Sequence, residues 1–222
     1  MFSHTIAASI LSADLARLGE EAHNVLSAGA DWLHFDVMDN VFVPNLTFGP
    51  LVCQALRNYG ITAPIDVHLM TFRVDHLINE FAKAGATHIS FHAQSSLDVY
   101  KSIQLIKAQG CKAGLVVNPE VNLDTVSPFW EELDLITLMS VNPGFAGQKF
   151  MSSVLPTIQQ AKQIIAERKL TTSIIVDGGI NIDNAGLVTA SGANSIVAGS
   201  SIFNFANKNY HEIINLLRNK MK

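Results

Sequence analysis

The sequence predicts an α/β protein in which strands and helices alternate from end to end, a single (β/α)8 TIM barrel spanning residues 1–222. Three observations carry this prediction. Eight short runs rich in apolar and β-branched residues recur along the chain, and amphipathic stretches with helical spacing lie between them. A helix-ending phrase also repeats immediately before strand-like runs, in SAGADWLHF, KAGATHISF and ASGANSIVA. Glycine in such a phrase stops a helix just past its last turn and redirects the chain. Such echoes indicate a repeated supersecondary element.

The strand-like runs occupy residues 5–11, 32–38, 65–70, 88–92, 113–118, 135–141, 173–177 and 195–199. A first helix follows Asp14, a residue type that caps helix starts, with Leu15, Leu18, Ala22 and Leu26 on one face. Val154, Ile158, Ala161, Ile164 and Ile165 form a second clear stripe, and a last helix covers residues 210–217. Eight strands, each followed by a helix, fit 222 residues, since such barrels begin at about 200. A doubly wound open sheet is the competing architecture. It normally shows a glycine-rich turn after its first strand, where this chain has SILSADL. No Pro/Ser-rich linker or block of like charge marks a domain boundary.

Hydrophobic residues make up 48% of the chain and charged residues 15%, against about 25% charged in ordinary soluble domains. So little charged surface implies a large core and favours a homo-oligomer. The net charge of −4, with no basic cluster, argues against a nucleic-acid partner. Cys53 and Cys111 are far apart in sequence, which excludes a disulfide scaffold and a cysteine-ligated zinc site. The N-terminal residues lack the pattern of a signal peptide, and no apolar run approaches the roughly 20 residues of a membrane helix. The expectation is a cytoplasmic protein with no membrane partner.

In a barrel of this kind the chemistry sits at the C-terminal strand ends. The second strand ends in His34, Asp36 and Met38 at alternate positions, and the third in Asp66, His68 and Met70. Alternate residues share a face. Asp177 stands at the tip of the seventh strand, in VDGG. One reading is that these polar groups simply fill the barrel mouth. Buried charges, however, require partners or a metal. His34, Asp36, His68 and Asp177 together form a donor set suited to one divalent cation, with Zn2+ first and Fe2+, Mn2+ or Co2+ also compatible. His92, near the end of the fourth strand, is a candidate supporting group. His4, His23, His76 and His211 lie at the terminus or on helices and are expected at the surface.

Loop six reads VNPGFAGQKF, strand seven runs into DGGIN and strand eight into AGSSIF. Glycine-rich turns after late strands, opening into helix N-termini, are the recurrent phosphate site of these barrels. Met38, Met70 and Met139 lie near strand ends; methionine usually fills core gaps, and here the three could wall the mouth. Ser9 on the first strand could point into the same space.

The segments AASILSAD, HFDVMDNVFVPNLTFGP, DVHLM, MSVNPGFAGQKF, VDGGIN and AGSSIF, in this order and spacing, resemble the ribulose-phosphate 3-epimerase family over residues 5–205. The resemblance implies a ribulose-phosphate-binding type of barrel. It also implies one divalent metal and interconversion of D-ribulose 5-phosphate and D-xylulose 5-phosphate in the pentose phosphate pathway. Carried onto this chain, the metal ligands would be His34, Asp36, His68 and Asp177, with Asp36 and Asp177 as the acid/base pair. Substrate contacts would come from Ser9 and His68. Phosphate contacts would come from Gly144, Phe145, Ala146 and Gly147, from Gly178 and Gly179, and from Gly199 and Ser200.

Inverting a carbon beside a ketone requires one group to take its proton and another to return one from the opposite face. The enediolate formed between those steps carries negative charge, which a cation offsets. A decarboxylase of related barrels would place a lysine two positions after the third-strand aspartate; here His68 stands two after Asp66. An epimerase for D-allulose 6-phosphate would use the same residues. A noncatalytic sugar-phosphate-binding barrel would tolerate loss of a ligand or a carboxylate, and none is lost. Three positions depart from the common family pattern: Asn40, Gln94 and Ala146. Ala146 would be strained only if its backbone needed a positive φ, whereas Asn40 tolerates the left-handed region.

Overall fold

The structure, a computed structural model, describes residues 4–222. Eight parallel strands close into a barrel in sequence order. They are β1 Thr5–Ser9, β2 Trp32–Met38, β3 Ile65–Met70, β4 His88–His92, β5 Lys112–Val117, β6 Leu135–Met139, β7 Ser173–Asp177 and β8 Ser195–Ala198. Closure is made by β1 against β8, with Ile6 opposite Ile196 and Ala8 opposite Ala198. All eight expected strands are present. The first ends at Ser9 because Ile10–Ser12 tightens into a 3-10 turn, whose last carbonyl bond closes Ala13 N–H onto Ile10 O at 3.1 Å.

The surrounding helices are α1 Leu18–Ser27, α2 Pro50–Tyr59, α3 Asp75–Lys83, α4 Val99–Ala108, α5 Val154–Glu167, α6 Ala185–Ser191, α7 Ser200–Phe203 and α8 Tyr210–Lys220. Two expectations need correction. Asp14 caps a 3-10 turn, Leu15–Arg17, rather than α1 itself, its Oδ1 accepting from Ala16 N–H at 3.1 Å. After β5 the chain forms no α-helix but a 3-10 segment, Leu123–Glu132, with Pro128 inside it. Proline has no N–H to donate and its ring clashes with the preceding turn, which costs an α-helix about 3 kcal/mol at that position.

The repeated glycine phrases behave as expected: Gly29, Gly85 and Gly192 adopt φ values of 108°, 101° and 129°. Side chains then sort by strand parity. Leu33, Phe35 and Val37 of β2 and Val67 and Leu69 of β3 face the helices in the main apolar core. Ala7, Leu135, Ile175 and Val197 fill the interior, with Trp32 packed against them. His34, Asp36, His68 and Asp177 are buried as well. Arg218 of α8 ties the last helix to the first βα unit, donating to Asp31 Oδ2 at 2.8 Å, Gly29 O at 2.8 Å and His4 O at 3.2 Å.

Candidate active site

Parallel register fixes the centre of the site. On β2 and β3, Asp36 stands opposite His68 and His34 opposite Asp66, while Asp177 on β7 faces Met139 on β6 and Val197 on β8. The barrel's curvature then brings four donor atoms, one each from His34, Asp36, His68 and Asp177, within 4.8 Å of one another. His34 Nε2 lies 3.5 Å from Asp36 Oδ1 and 3.4 Å from Asp177 Oδ2. His68 Nδ1 lies 3.6 Å and 3.7 Å from the same two oxygens.

These separations are too long for good hydrogen bonds. A tetrahedron of ligands roughly 2.1 Å from its centre has edges of about 3.4 Å, the spacing of a zinc-type site. His34 Nε2, His68 Nδ1 and Asp177 Oδ2 are buried with no hydrogen-bond partner. Buried polar atoms without partners are uncommon, and three converging on one point fit a cation. The group could therefore hold a metal ion.

The charges respond to each other strongly. Burial alone pushes the His34 imidazole down, but Asp36, Asp177 and Asp66 outweigh it and hold the ring well above the usual histidine range. Burial pushes the Asp36 carboxyl up, yet His34 and His68 overcome this and hold it far below the usual range. Asp36 Oδ2 also accepts a hydrogen bond from Ser9 Oγ at 2.6 Å, which leaves Oδ1 toward the cluster.

Above the cluster lies an open pocket. Every glycine and serine expected at the site lines it: Ser9, Gly144, Gly147, Gly178, Gly179, Gly199 and Ser200, together with Phe145 and Ala146. Asp36, Asp177, Met38, Met70 and Met139 line it too. His34 and His68 lie beneath, fully buried. Met38 and Met70 pack with Val43, and Met139 packs with Val116 and Val141. Ala146 is not among the residues with positive φ, so it carries no strain, whereas Asn40 adopts φ 59°. Lys149 is exposed. His23, His76 and His211 are exposed as expected, and His4 is partly so.

Several supporting contacts were not foreseen from the sequence. Ser140 Oγ donates to Gly178 O at 2.6 Å and approaches Asp177 O at 3.0 Å. Thr47 Oγ1 donates to Asp36 O at 2.5 Å and accepts from Met38 N–H at 3.0 Å. Asn45 Nδ2 donates to Gly144 O at 2.8 Å, linking loops two and six. Asp66 Oδ2 lies 2.8 Å from His34 Nδ1, and His92, which the sequence already offered as a supporting group, lies 2.9 Å from His68. Asp66 was legible as a parity mate of His68, but only the β2–β3 register shows which side chain it meets.

A closed (β/α)8 barrel with convergent cation-type donors at its C-terminal mouth defines a barrel enzyme, with its chemistry where such barrels carry it. Comparison with known proteins makes the assignment specific. The sequence profile of the ribulose-phosphate 3-epimerase family matches residues 5–203, and the chain belongs to that family. It is 56% identical over 198 residues to ribulose-phosphate 3-epimerase of Serratia marcescens, covering 89% of this chain and 94% of that one. It is 50% identical over 221 residues to the enzyme of the same name from Escherichia coli strain K12, covering 100% and 97%. Among solved structures, tryptophan synthase of Mycobacterium tuberculosis superposes with a TM-score of 0.70 at 11% identity, covering 99% and 93%. That likeness concerns the fold alone.

Proposed function

We propose that this chain, acting as one catalytic unit over residues 1–222, interconverts D-ribulose 5-phosphate and D-xylulose 5-phosphate by inverting C3. The observation that carries this reading is the placement of Asp36 on β2 and Asp177 on β7, both directed at the same buried centre and both lining the open pocket. Two carboxylates presented from different strands can serve opposite faces of a bound sugar. One takes the proton from the carbon beside the ketone, and the other returns a proton from the far side. The roles exchange when the reaction runs in reverse.

Ser9 holds Asp36 Oδ2 and so fixes the orientation of that carboxylate. His34, Asp36, His68 and Asp177 would hold one divalent cation, zinc first by ligand type, with iron, manganese or cobalt also compatible. When bound, such a cation offsets the negative charge that develops on the substrate oxygens. The backbone of Gly144–Gly147, Gly178–Gly179 and Gly199–Ser200 receives the phosphate, with His68 and Ser9 near the sugar, and Met38, Met70 and Met139 shield the reacting carbon from water. Positioning of this kind is worth several kcal/mol.

The setting is the cytoplasm. Low charge content and exposed apolar side chains such as Val41 and Leu51 support a homo-oligomer.

Asp36→Asn and Asp177→Asn test the central step. Each should abolish epimerisation beyond the 10²–10⁴-fold typical of one acid/base group, because each also loses an anionic ligand. Metal content measured alongside separates the two losses. A variant that keeps both its metal and substantial activity would overturn the assignment. Competition between the pentulose and hexulose phosphates decides the preferred sugar.

A further inference from the structure

A neutral imidazole carries one N–H and one lone pair, and only the lone pair binds a cation. Whatever accepts the N–H therefore decides which nitrogen is free. In His34, Nδ1 lies 2.8 Å from Asp66 Oδ2, with both side chains wholly buried. A carboxylate offers only lone pairs at that distance, so in the neutral ring that a cation binds the proton sits on Nδ1 and Nε2 is left bare. Nε2 is the atom that faces Asp36 and Asp177 without a hydrogen-bond partner.

In His68 the two nitrogens exchange parts. Nε2 lies 2.9 Å from His92 Nε2, and Nδ1 faces the two aspartates. Two ring nitrogens at that distance share one proton. A lone pair at His68 Nδ1 requires that shared proton to sit on His68 Nε2, with His92 Nε2 accepting it.

We propose that Asp66 and His92 are positioning residues that select the tautomers of His34 and His68, each turning one lone pair toward the cation centre, and that Asp66 is the stronger of the two. The inference rests on the reading of the four-residue group as a cation site. The ranking follows from charge. A hydrogen bond to an ionised acceptor is roughly twice as strong as a neutral one, and an anionic partner raises the basicity of the ligand behind it. A purely structural Asp66 would behave differently: its loss would destabilise metal-free and metal-loaded protein alike.

The test uses Asp66→Asn, His92→Phe and, as a control, Ser90→Ala. Ser90 is buried beside His68 in the β3–β4 register, with no side-chain hydrogen bond. Zinc affinity is measured by chelator competition, and melting temperature is recorded with and without zinc, all in the absence of substrate. Asp66→Asn keeps the shape but loses the charge, and its amide can present N–H to Nδ1. It should weaken zinc binding about 10–100-fold and shrink the zinc-induced rise in melting temperature. His92→Phe should weaken binding less, and Ser90→Ala should leave it unchanged.

Long-range proton–nitrogen spectra of the zinc-loaded wild type need no variant; they should show His34 protonated at Nδ1 and His68 at Nε2. Zinc affinity of Asp66→Asn within twofold of wild type, a larger loss in His92→Phe, or the opposite His34 tautomer overturns the inference while the cation reading stands. A wild type that binds no divalent cation overturns both.

Discussion

Ser140 Oγ lies 2.6 Å from Gly178 O and 3.0 Å from Asp177 O, so one buried hydroxyl grips the backbone on both sides of the β7 tip. Its own N–H also bonds Asp177 O at 2.7 Å. The contact joins the carboxylate-bearing strand end to the glycine turn proposed to hold phosphate. Ser140→Ala removes the side-chain part and leaves the part-buried Gly178 carbonyl without that bond, a change worth about 1 kcal/mol. The Michaelis constant and the inhibition constant for inorganic phosphate should both rise, roughly tenfold, while zinc content stays at the wild-type level. Unchanged constants would show that the turn is held by other contacts.

Two glycines of positive φ separate backbone preference from space. Gly147 has φ 76° with nothing within 4 Å of an added Cβ, whereas Gly179 has φ 63° and its Cβ would meet Phe150 N at 2.5 Å and Gln148 O at 2.8 Å. Gly147→Ala should cost only the left-handed penalty of about 1–2 kcal/mol. Gly179→Ala must also drive loop six away from the β7 turn. Thermal unfolding should show a clearly larger drop for Gly179→Ala, accompanied by loss of phosphate inhibition. Equal drops would mean that loop six shifts freely.

Phosphate recognition by backbone rather than by a cationic side chain has its own signature. A Cβ on Gly199 would lie 2.9 Å from Ser12 Oγ and 3.3 Å from Ser9 Cβ, so it wedges the β8 end against the β1 end rather than standing free in the pocket. Gly199→Val should therefore raise both constants sharply and disturb Ser9, the partner of Asp36. Lys149, exposed beyond the loop-six glycines, should be replaceable by alanine with little effect. The reverse ranking would point to a cationic clamp.

His88 gives a pH-dependent prediction away from the site. It stacks on Trp32 at 4.4 Å between ring centroids, and Thr87 Oγ1 sits 2.9 Å from Nδ1. Burial lowers its pKa, with Lys112 acting in the same direction and Asp66 and Asp134 opposing. A histidine lowered in the folded state takes up its proton more readily when unfolded. Stability associated with it is thus intact above about pH 6.5 and declines as the pH falls from there toward the folded value. Urea unfolding at pH 7.5 and 5.5 should show His88→Gln losing less on acidification than wild type. Equal losses would assign the acid sensitivity elsewhere.

The alternation of strands and helices was legible because every strand is buried and apolar enough to stand out, and because Gly29, Gly85 and Gly192 end helices in one repeated way. The four cluster residues were legible because strand parity puts His34 with Asp36, and because His68 and Asp177 stand at the ends of two further strands. What the sequence hid was set by neighbours distant in the chain. Asp66 meets His34 through register 32 residues apart, and Asn45 reaches Gly144 across 99 residues. The missing helix after β5 was signalled by Pro128 inside an otherwise amphipathic stretch.

The closure of β1 on β8 bears on synthesis. One edge of β1 can pair as soon as β2 has been made, but its other edge waits for Ser195–Ala198, near the end of the chain. A growing chain on the ribosome therefore carries an open, apolar strand edge until β8 has been made, and Arg218, which ties α8 back to Asp31 and Gly29, emerges later still. Exposed edges recruit foreign strands, so the interval before β8 is made, rather than the finished barrel, is when a foreign strand can compete for β1.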